Sequence, residues 1–326
     1  MKGVTIRNSV PADAPRMAHL QARCVAECPD TGRFPPGFWH GPGFDDGRNI
    51  FCAVDGQDEL LGYGAICPSY ISRHLGARIL WIDLRANPRC KAADTIKDLL
   101  LERLLARACE IGSQKPEKYA LSATYFSEGR ASVEYLAAKG FTHYQTCYAM
   151  RRDLSEPVPH MPQPVGVEVR SWRMENEAEQ RAYLEAYESA FQSDAKSLEE
   201  LQHFMGTEYW SVGTTFTAFA GERVVGSVAI WYRPNSTWGA RTEHVFVVPE
   251  WQRRGIARYL LRQGLLYLQE RKLAFAELEV DGTNRPAVLL YQSLGYQIHK
   301  EEVSLGLPLQ RLPVDAQPPA QLAREA

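Results

Sequence analysis

The stretch that decides the fold of the second half of this chain is Val248-Pro249-Glu250-Trp251-Gln252-Arg253-Arg254-Gly255-Ile256-Ala257-Arg258. The apolar run Val245-Phe246-Val247 precedes it and reads as a strand, and apolar residues at helical spacing follow it: Leu260, Leu261, Leu265 and Leu268. This pattern predicts a strand, a tight turn and a helix. The first N–H groups of a helix are free to bind an anion, and the small residues Gly255 and Ala257 would let a diphosphate approach them. The alternative is an ordinary turn with solvated arginines.

A second motif lies downstream of this turn. The segment Val280-Asp281-Gly282-Thr283-Asn284 reads as a strand end, and it runs into a helix that carries Leu290-Tyr291 and closes with Gly295-Tyr296. Together the two motifs resemble the GNAT N-acetyltransferase superfamily over residues 165–307. The turn is similar to the family's acetyl-CoA loop, Gln/Arg-x-x-Gly-x-Gly/Ala, and the downstream segment is similar to its closing motif. Two motifs in the right order are more specific than either alone.

The resemblance implies how the donor binds. Acetyl-CoA would be the co-substrate, and no metal would be needed. The backbone of Phe246, Val247 and Val248 would pair with pantetheine as an added strand does, and Asn284 would hold the pantetheine arm. The residues expected around the diphosphate are Gln252, Arg253, Arg254, Gly255, Ile256, Ala257 and Arg258.

Amide formation from a thioester needs a base for the ammonium group, a donor for the carbonyl oxygen and an acid for the departing thiolate. Glu243 lies on the strand before the turn, where the resemblance implies a general base, and strict alternation places it on one face with Val245 and Val247. Apolar neighbours would raise the pKa of its carboxyl group. His244, on the opposite face, is the weaker candidate. The alternative for Glu243 is a salt bridge at a strand end.

Tyr291 is the expected general acid. The resemblance implies a Tyr at this place in the closing motif, where the phenol can hydrogen-bond the sulfur and protonate the CoA thiolate. The alternative is a core aromatic residue on an apolar helix stripe.

The chain also contains an internal repeat. Val4-Thr5-Ile6-Arg7 recurs as Val167-Glu168-Val169-Arg170, and residues 50–66 recur as residues 215–230, each a strand, a glycine-containing turn and a strand. We therefore expect an α+β fold with two tandem GNAT domains, each a mixed, mostly antiparallel twisted sheet flanked by helices.

The first copy loses the residues that carry chemistry. Counting from Pro88 and from Gly140, the residues at the five functional positions are Ile82 for Glu243, Asp94 for Gly255, Ile96 for Ala257, Gly129 for Asn284 and Leu136 for Tyr291. Asp83 and Tyr135 lie one position away, so a shifted alignment stays open. We expect the first domain to be a degenerate, non-catalytic copy.

The predicted organisation has four parts. Residues 1–155 form the degenerate domain and residues 165–312 the catalytic domain. Residues 156–164, with four prolines, form a stiff linker, and residues 313–326 form a flexible tail.

Composition narrows the class of protein. The net charge of -2, with dispersed Lys and Arg, predicts no nucleic-acid partner, and no apolar run is long enough for a membrane helix. The start lacks an apolar signal core, and the seven cysteines fit reduced thiols better than a disulfide framework, so we expect a cytoplasmic protein. A monomer and a homodimer both stay open.

The predicted function is transfer of an acetyl group to a primary amine of a small molecule or peptide. Polyamines, amino acids, aminoglycoside-like antibiotics and peptide N-termini stay open as acceptors. A CoA-binding sensor or scaffold without turnover is the alternative from another class.

Overall fold

A computed structural model describes residues 3–28, 39, 41–113, 117–191, 196–233 and 239–309 of the chain. Their contacts form two compact units. The first comprises Met1–Ala123, Tyr135–Thr142 and Leu305–Ala326, and the second comprises Thr124–Glu134 and His143–Ser304. Within the described ranges, no helix is both long and apolar enough to span a membrane.

The first unit has a sheet with the strand order β1-β2-β3-β4-β5. Neighbouring strands are antiparallel except β4 and β5, which are parallel. Short 3-10 turns lie at Pro11–Asp13 and Pro42–Gly47. The strands are β1 (Thr5–Asn8), β2 (Ile50–Val54), β3 (Leu60–Ser72), β4 (Ala77–Ala86) and β5 (Tyr119–Phe126), and the helices are α1 (Ala14–Glu27), α2 (Ala93–Ser113) and α3 (Arg130–Ala138). Residues 124–126 of β5 and 130–134 of α3 are grouped with the second unit.

The second unit has a sheet with the strand order β6-β11-β10-β9-β8-β7, in which only β10 and β11 are parallel. Its strands are β6 (Thr142–Asp153), β7 (Glu168–Trp172), β8 (Thr214–Ala220), β9 (Arg223–Tyr232), β10 (Gly239–Val247), β11 (Phe275–Asp281) and β12 (Gln297–Pro308). Its helices are α4 (Glu177–Phe191), α5 (Leu198–Met205), α6 (Glu208–Val212), α7 (Ile256–Glu270) and α8 (Arg285–Gln292). The expected α+β class with two mostly antiparallel sheets is confirmed.

The last strands do not follow the order of the sequence. β6 comes from the first sequence repeat, yet it pairs with β11 from Cys147 to Asp153 and belongs to the second unit. The pairing gives the edge of β11 the backbone partners that an exposed edge lacks. The compact units therefore differ from the sequence ranges 1–155 and 165–312 in their final strands. Residues 157–164 of the expected linker contain neither helix nor strand, and the expected tail 313–326 lies outside the described residues.

The core of the second unit explains why the sequence after the turn folds as a helix. Leu260, Leu261, Leu265 and Leu268 of α7 are all buried, as the helical spacing predicts. They pack in one cluster with the apolar residues of β9, among them Val228 and Ile230. Burial of this stripe holds the start of α7 against the sheet.

The strand ladders correct one equivalence between the repeats. Asp83 of β4 pairs with Ala65, and Glu243 of β10 pairs with Ala229. Because Ala65 and Ala229 are equivalent in the repeat, Asp83 stands where Glu243 stands. The count that put Ile82 there is wrong by one residue, since β10 contains an extra residue after Glu243.

Asp83 belongs to a buried ion pair in the first unit. Its carboxylate accepts a hydrogen bond of 2.7 Å from the Tyr63 hydroxyl group. The Nε atom of Arg85 donates to both of its oxygens, at 2.9 and 3.1 Å. Asp83 and Arg85 are each 5% exposed and Tyr63 is fully buried. The carboxylate at this position is therefore fixed inside the first unit.

We expect Asp83→Asn to destabilise the first unit by about 3–5 kcal/mol, because the Arg85 charge then stays buried without its counter-ion. Urea unfolding followed through the amide exchange of β4 measures the loss. Asp94→Asn is the control, since that side chain is 79% exposed and Lys97 is its one ion-pair partner among the described residues. Equal losses in the two variants would contradict a special cost for the buried pair.

Candidate active site

Strand β10 carries a bulge between Glu243 and Phe246. Glu243 pairs with Ala229 and Phe246 with Ser227, so β10 has one residue more than β9 over this span. His244 has a φ of 49°, in the left-handed region. A bulge interrupts the alternation of side chains. The expectation that Glu243 shares a face with Val245 and Val247 by strict alternation is therefore wrong.

An opening forms beside the second half of β10. β10 and β11 pair only from Gly239 to Arg241, and no later residue of β10 pairs with β11 in the described part of the chain. The backbone of β10 beyond Arg241 is thus unpaired on its β11 side, as an added strand of pantetheine would require. The N–H group of Val248 is already donated to the Val225 carbonyl group at 3.0 Å, so this amide is not free for the donor.

The turn after β10 presents unpaired N–H groups. A 3-10 turn, Pro249–Trp251, leads into Arg253 with a φ of 61° and Gly255 with a φ of 80°, and α7 begins at Ile256. The N–H groups of residues 253–258 have no acceptor among the described residues. A Cβ atom at Gly255 would meet nothing within 4 Å, so space lies beside these donors. Together they form a nest that suits an anion.

The side chains of the turn take different roles. Gln252 donates from Nε2 to the Val247 carbonyl group at 3.0 Å and ties the turn to the strand end. The Arg254 guanidinium lies 4.5 Å from the centre of the Trp251 ring. Arg253, Arg254 and Arg258 are exposed, and Ala257 is half-buried beside them. The positive charge is therefore mobile, whereas the backbone donors are fixed.

The expected base lies in a charged cluster of the second unit. The Nε and Nη2 atoms of Arg241 donate to Oε1 of Glu243 at 3.0 and 2.8 Å, and Nη2 also donates to Glu279 at 2.6 Å. The Oε2 atom of Glu243 has no partner among the described residues, and the side chain is 28% exposed. Desolvation raises the pKa of Glu243 above its ordinary value, Arg241 lowers it, and Glu279 raises it. Glu243 thus has the raised pKa expected of a general base, and it also forms the salt bridge expected if it were only structural.

A third carboxylate extends this cluster. Burial raises the pKa of Glu302, on β12, to about 7, and the nearby charge of Glu279 adds to the shift. Glu302 therefore changes its charge near neutral pH.

Tyr291 is held in α8 by packing. The helix is capped by Asn284, whose Oδ1 atom accepts a bond of 3.3 Å from the Ala287 N–H group. Tyr291 is 7% exposed, its ring lies 6.0 Å from that of Tyr296, and its hydroxyl group has no partner among the described residues. Burial and the charge of Glu243 raise its pKa, so the phenol keeps its proton at neutral pH. The use of Asn284 as a cap leaves its pantetheine role a prediction.

His244 is engaged on both ring nitrogens. Its Nε2 atom lies 3.0 Å from the Lys196 Nζ atom, and its Nδ1 atom lies 3.4 Å from the Tyr183 hydroxyl group. The ring packs edge-on against Tyr187 at 5.4 Å. Burial, with a smaller contribution from Lys196, lowers the pKa of His244 to about 3. A neutral ring whose Nε2 accepts from an ammonium group is a poor base, which favours Glu243 as the base.

The sequence hypothesis did not identify Arg241 or Lys196. Arg241 is two residues before Glu243 on the same strand, so ordinary alternation predicts a contact between them. Lys196 lies in a connection, and nothing in its neighbouring residues indicates that it reaches β10.

Of the expected residues, the structure brings Glu243 and Tyr291 within electrostatic reach of each other. In the part of the chain that the structure describes, no group of His, Cys, Asp and Glu could hold a metal ion.

The sequence model of the acetyltransferase (GNAT) family matches residues 172–296. These residues are thus similar to that family. The chain is 29% identical over 193 residues to a mycothiol acetyltransferase of Thermobifida fusca, an alignment that covers 52% of this chain and 59% of that protein. It is 32% identical over 188 residues to a mycothiol acetyltransferase of Streptomyces bingchenggensis, covering 54% and 59%. The chain thus spans less than two thirds of the length of these curated relatives.

Solved structures share the fold over nearly the whole chain. A GCN5-related N-acetyltransferase from Sphaerobacter thermophilus superposes with a TM-score of 0.70 at 20% identity, covering 94% of this chain and 96% of that one. A tandem GNAT protein from the clavulanic acid biosynthesis pathway superposes with a TM-score of 0.67 at 15% identity, covering 96% and 100%. At these identities the likeness concerns the fold, which is the tandem GNAT fold.

We expect Gly255→Ala to weaken binding of CoA by about tenfold, since a new Cβ atom would enter the space beside the N–H nest. Isothermal titration with CoA measures the change. Gly221→Ala is the matched control, because Gly221 also has a positive φ, of 62°, and open space around its Cα atom, but lies in the turn between β8 and β9. Equal weakening in both variants would assign the effect to backbone strain instead of to the nest.

Proposed function

We propose that the GNAT domain transfers an acetyl group from acetyl-CoA to a primary amine by direct attack, with Glu243 as base and Tyr291 as acid. The observation that carries the proposal is the position of Glu243: a half-buried carboxylate with one free oxygen and a raised pKa, at the bulge of a strand that opens beside it and ends in an anion nest. The diphosphate of CoA fits the nest, and its pantetheine arm fits the unpaired edge of β10.

The proposed reaction moves protons at two named atoms. The Oε2 atom of Glu243 accepts a proton from the acceptor ammonium group, and the free lone pair then attacks the thioester carbon. Collapse of the tetrahedral adduct breaks the C–S bond, and the Tyr291 hydroxyl group donates its proton to the departing thiolate. The remaining ammonium proton of the adduct restores Tyr291 through solvent. The net products are an amide, CoA as a thiol, and one proton released to solvent by Glu243.

Arg241 positions the base in this proposal. Both of its bonds to Glu243 go to Oε1, which leaves Oε2 free to face the acceptor. Arg241 also bonds Glu279, so its charge stabilises the ionised form of Glu243 less than it would if Glu243 were its one partner. The carboxylate is thus oriented without losing its basicity.

The alternative is a CoA-binding sensor or scaffold without turnover. Such a module needs an anion nest and an open strand edge, but it needs neither a carboxylate with a raised pKa nor a protonated phenol beside the opening. The names of the curated relatives, mycothiol acetyltransferases, also favour acetyl transfer. We therefore propose acetyl transfer as the function. The acceptor of those relatives is not part of the proposal.

We also propose that the first repeat is not catalytic. The Leu136 carbonyl group accepts from the Phe141 N–H group as the Tyr291 carbonyl group accepts from that of Tyr296, each at 3.1 Å, so a leucine stands at the acid position. Asp94, the counterpart of Gly255, already lies inside α2. The nest and the acid are thus both missing from the first repeat.

We expect Glu243→Gln and Tyr291→Phe each to lower kcat about 100- to 10,000-fold while CoA binding is unchanged, because general acid and base catalysis contribute rate enhancements of this size. Thiol release with a panel of amines gives kcat, and titration with CoA gives affinity.

The matched control for the base is Glu277→Gln. Glu277 is 29% exposed and is bonded through one oxygen by the Nε and Nη2 atoms of Arg151, as Glu243 is by Arg241. Tyr259→Phe, a half-buried tyrosine of α7, is the control for the acid. If the variants and their controls lose the same activity, the assigned roles are wrong. If acetyl-CoA binds and no amine releases thiol, the sensor alternative is favoured.

The pH dependence should move in opposite directions in two variants. A base acts only when deprotonated, so kcat/KM should fall as the pH drops below the raised pKa of Glu243. Arg241→Gln removes the cation that lowers this pKa, and the acidic limb should move to higher pH by about 1 unit or more. Glu279→Gln removes an anion that raises the pKa of Glu243. Arg241 then has Glu243 as its one carboxylate partner in the cluster, so the acidic limb should move to lower pH.

A profile of kcat/KM against pH measures both shifts. Lys196 also faces Glu243 and lowers its pKa, and Glu302 titrates near neutral pH beside Glu279. Glu302→Gln is therefore the control: loss of the acidic limb in that variant would assign the limb to Glu302 instead of to Glu243.

A further inference from the structure

Lys196 is a half-buried cation that approaches the bulge of β10. It lies two residues before α5, and its Nζ atom is 3.0 Å from Nε2 of His244. The same atom lies 5.5 Å from the centre of the Tyr187 ring. No carboxylate forms an ion pair with Lys196 among the described residues, although its charge lowers the pKa of Glu243.

This cation contacts His244, the neighbour of the proposed base Glu243 on β10, and its charge acts on Glu243. An acceptor has to reach the Oε2 atom of Glu243, and it arrives as an ammonium group. Two cations in a half-buried space repel each other, because the lower dielectric strengthens the interaction. Lys196 therefore disfavours acceptors that carry only positive charge, such as polyamines and aminoglycoside-like amines. An acceptor with an acid group near its amine would instead bring an acid partner, which Lys196 does not have among the described residues.

The surroundings of Lys196 hold it in place. Its bond to the neutral His244 ring, which is also within reach of the Tyr183 hydroxyl group, uses one of the three donors of the ammonium group. The Tyr187 ring, which lies beside the ammonium group, packs against the Phe191 ring with 4.6 Å between the ring centres. A cation fixed by one bond, with donors to spare, suits recognition of an anionic group.

From these contacts we propose that Lys196 binds an acid group of the acceptor, so that the substrate class is an amine that carries a carboxylate or phosphate a few bonds from its nitrogen, with an α-amino acid as the simplest case. This inference rests on the proposed function. It makes Lys196 a binding residue and His244 the residue that positions it. Among the acceptor classes that the sequence left open, it disfavours polyamines and aminoglycoside-like amines and favours amino acids.

The test compares matched acceptors that differ only in the acid group. Initial rates of thiol release are measured with acetyl-CoA and the pairs L-phenylalanine and 2-phenylethylamine, and L-leucine and isopentylamine. Phosphate is tested with 2-aminoethyl phosphate against ethylamine. The wild type, Lys196→Met and the control Lys272→Met, an exposed lysine after α7, are compared. The ratio of kcat/KM within each pair cancels any change in the ionisation of Glu243.

We expect the wild type and Lys272→Met to prefer the acid-bearing member by about 10- to 100-fold, the range of a hydrogen bond to a charged group. Lys196→Met should lose this preference through a higher KM for the acid-bearing acceptor, and the decarboxylated amines should gain. A preference of the wild type for the decarboxylated amines, or an unchanged ratio in Lys196→Met, would overturn the inference.

Binding separates this inference from the proposed function. If no acceptor releases thiol, the CoA-loaded protein is titrated calorimetrically with the same pairs. Binding of only the acid-bearing members, lost in Lys196→Met and kept in Lys272→Met, would support the acid subsite while the proposed catalysis fails. Binding that is absent, or equal for both members of a pair, would overturn the subsite as well.

Discussion

The candidate site depends on the extra residue that strand β10 holds at His244. Without it, the ladder with β9 would continue in register as the ladder of β3 and β4 does between Ala65 and Gly62. The bulge resets the side chains between Glu243 and Phe246, so that Phe246 is buried in the core while Glu243 stays partly open. The left-handed conformation of His244 is uncommon for a residue with a Cβ atom, and the surrounding contacts to Lys196, Tyr183 and Tyr187 offset its cost.

Two cations near the bulge of β10, Arg241 and Lys196, have different partners. On one side, Arg241 is shared by two carboxylates and holds Oε1 of Glu243; on the other, Lys196 contacts a neutral ring and has no acid partner among the described residues. Desolvation raises the pKa of Glu243, and the two cations limit that rise. Desolvation favours the protonated carboxyl group and the two cations favour the carboxylate, so Glu243 is a stronger base than an ordinary glutamate.

Local patterns predicted the parts of the structure that local contacts determine. The turn from Gln252 to Ala257 was predicted because strand, glycine and helical spacing follow one another directly in the sequence. The partner of β11 was not, because the pairing with β6 joins residues more than a hundred positions apart and leaves no local pattern. The contact of Lys196 with His244 was not predicted either, because it joins residues that are 48 positions apart in the sequence. The count that equated Glu243 with Ile82 failed because a bulge adds one residue without changing composition or hydrophobic pattern.

The corrected equivalence changes how the two repeats compare. The carboxylate position is retained in both, and its chemistry is decided by what replaces Phe246 and Tyr291. In the first repeat Arg85, two residues after Asp83, bonds both oxygens of the carboxylate, Tyr63 donates to it as well, and all three side chains are buried. A buried carboxylate with bonds to both oxygens is held by its own chain and is not open to a substrate. In the second repeat the equivalent group keeps one oxygen free. A single strand position thus contributes to stability in one repeat and carries the proposed chemistry in the other, and the difference lies in the partners of the carboxylate.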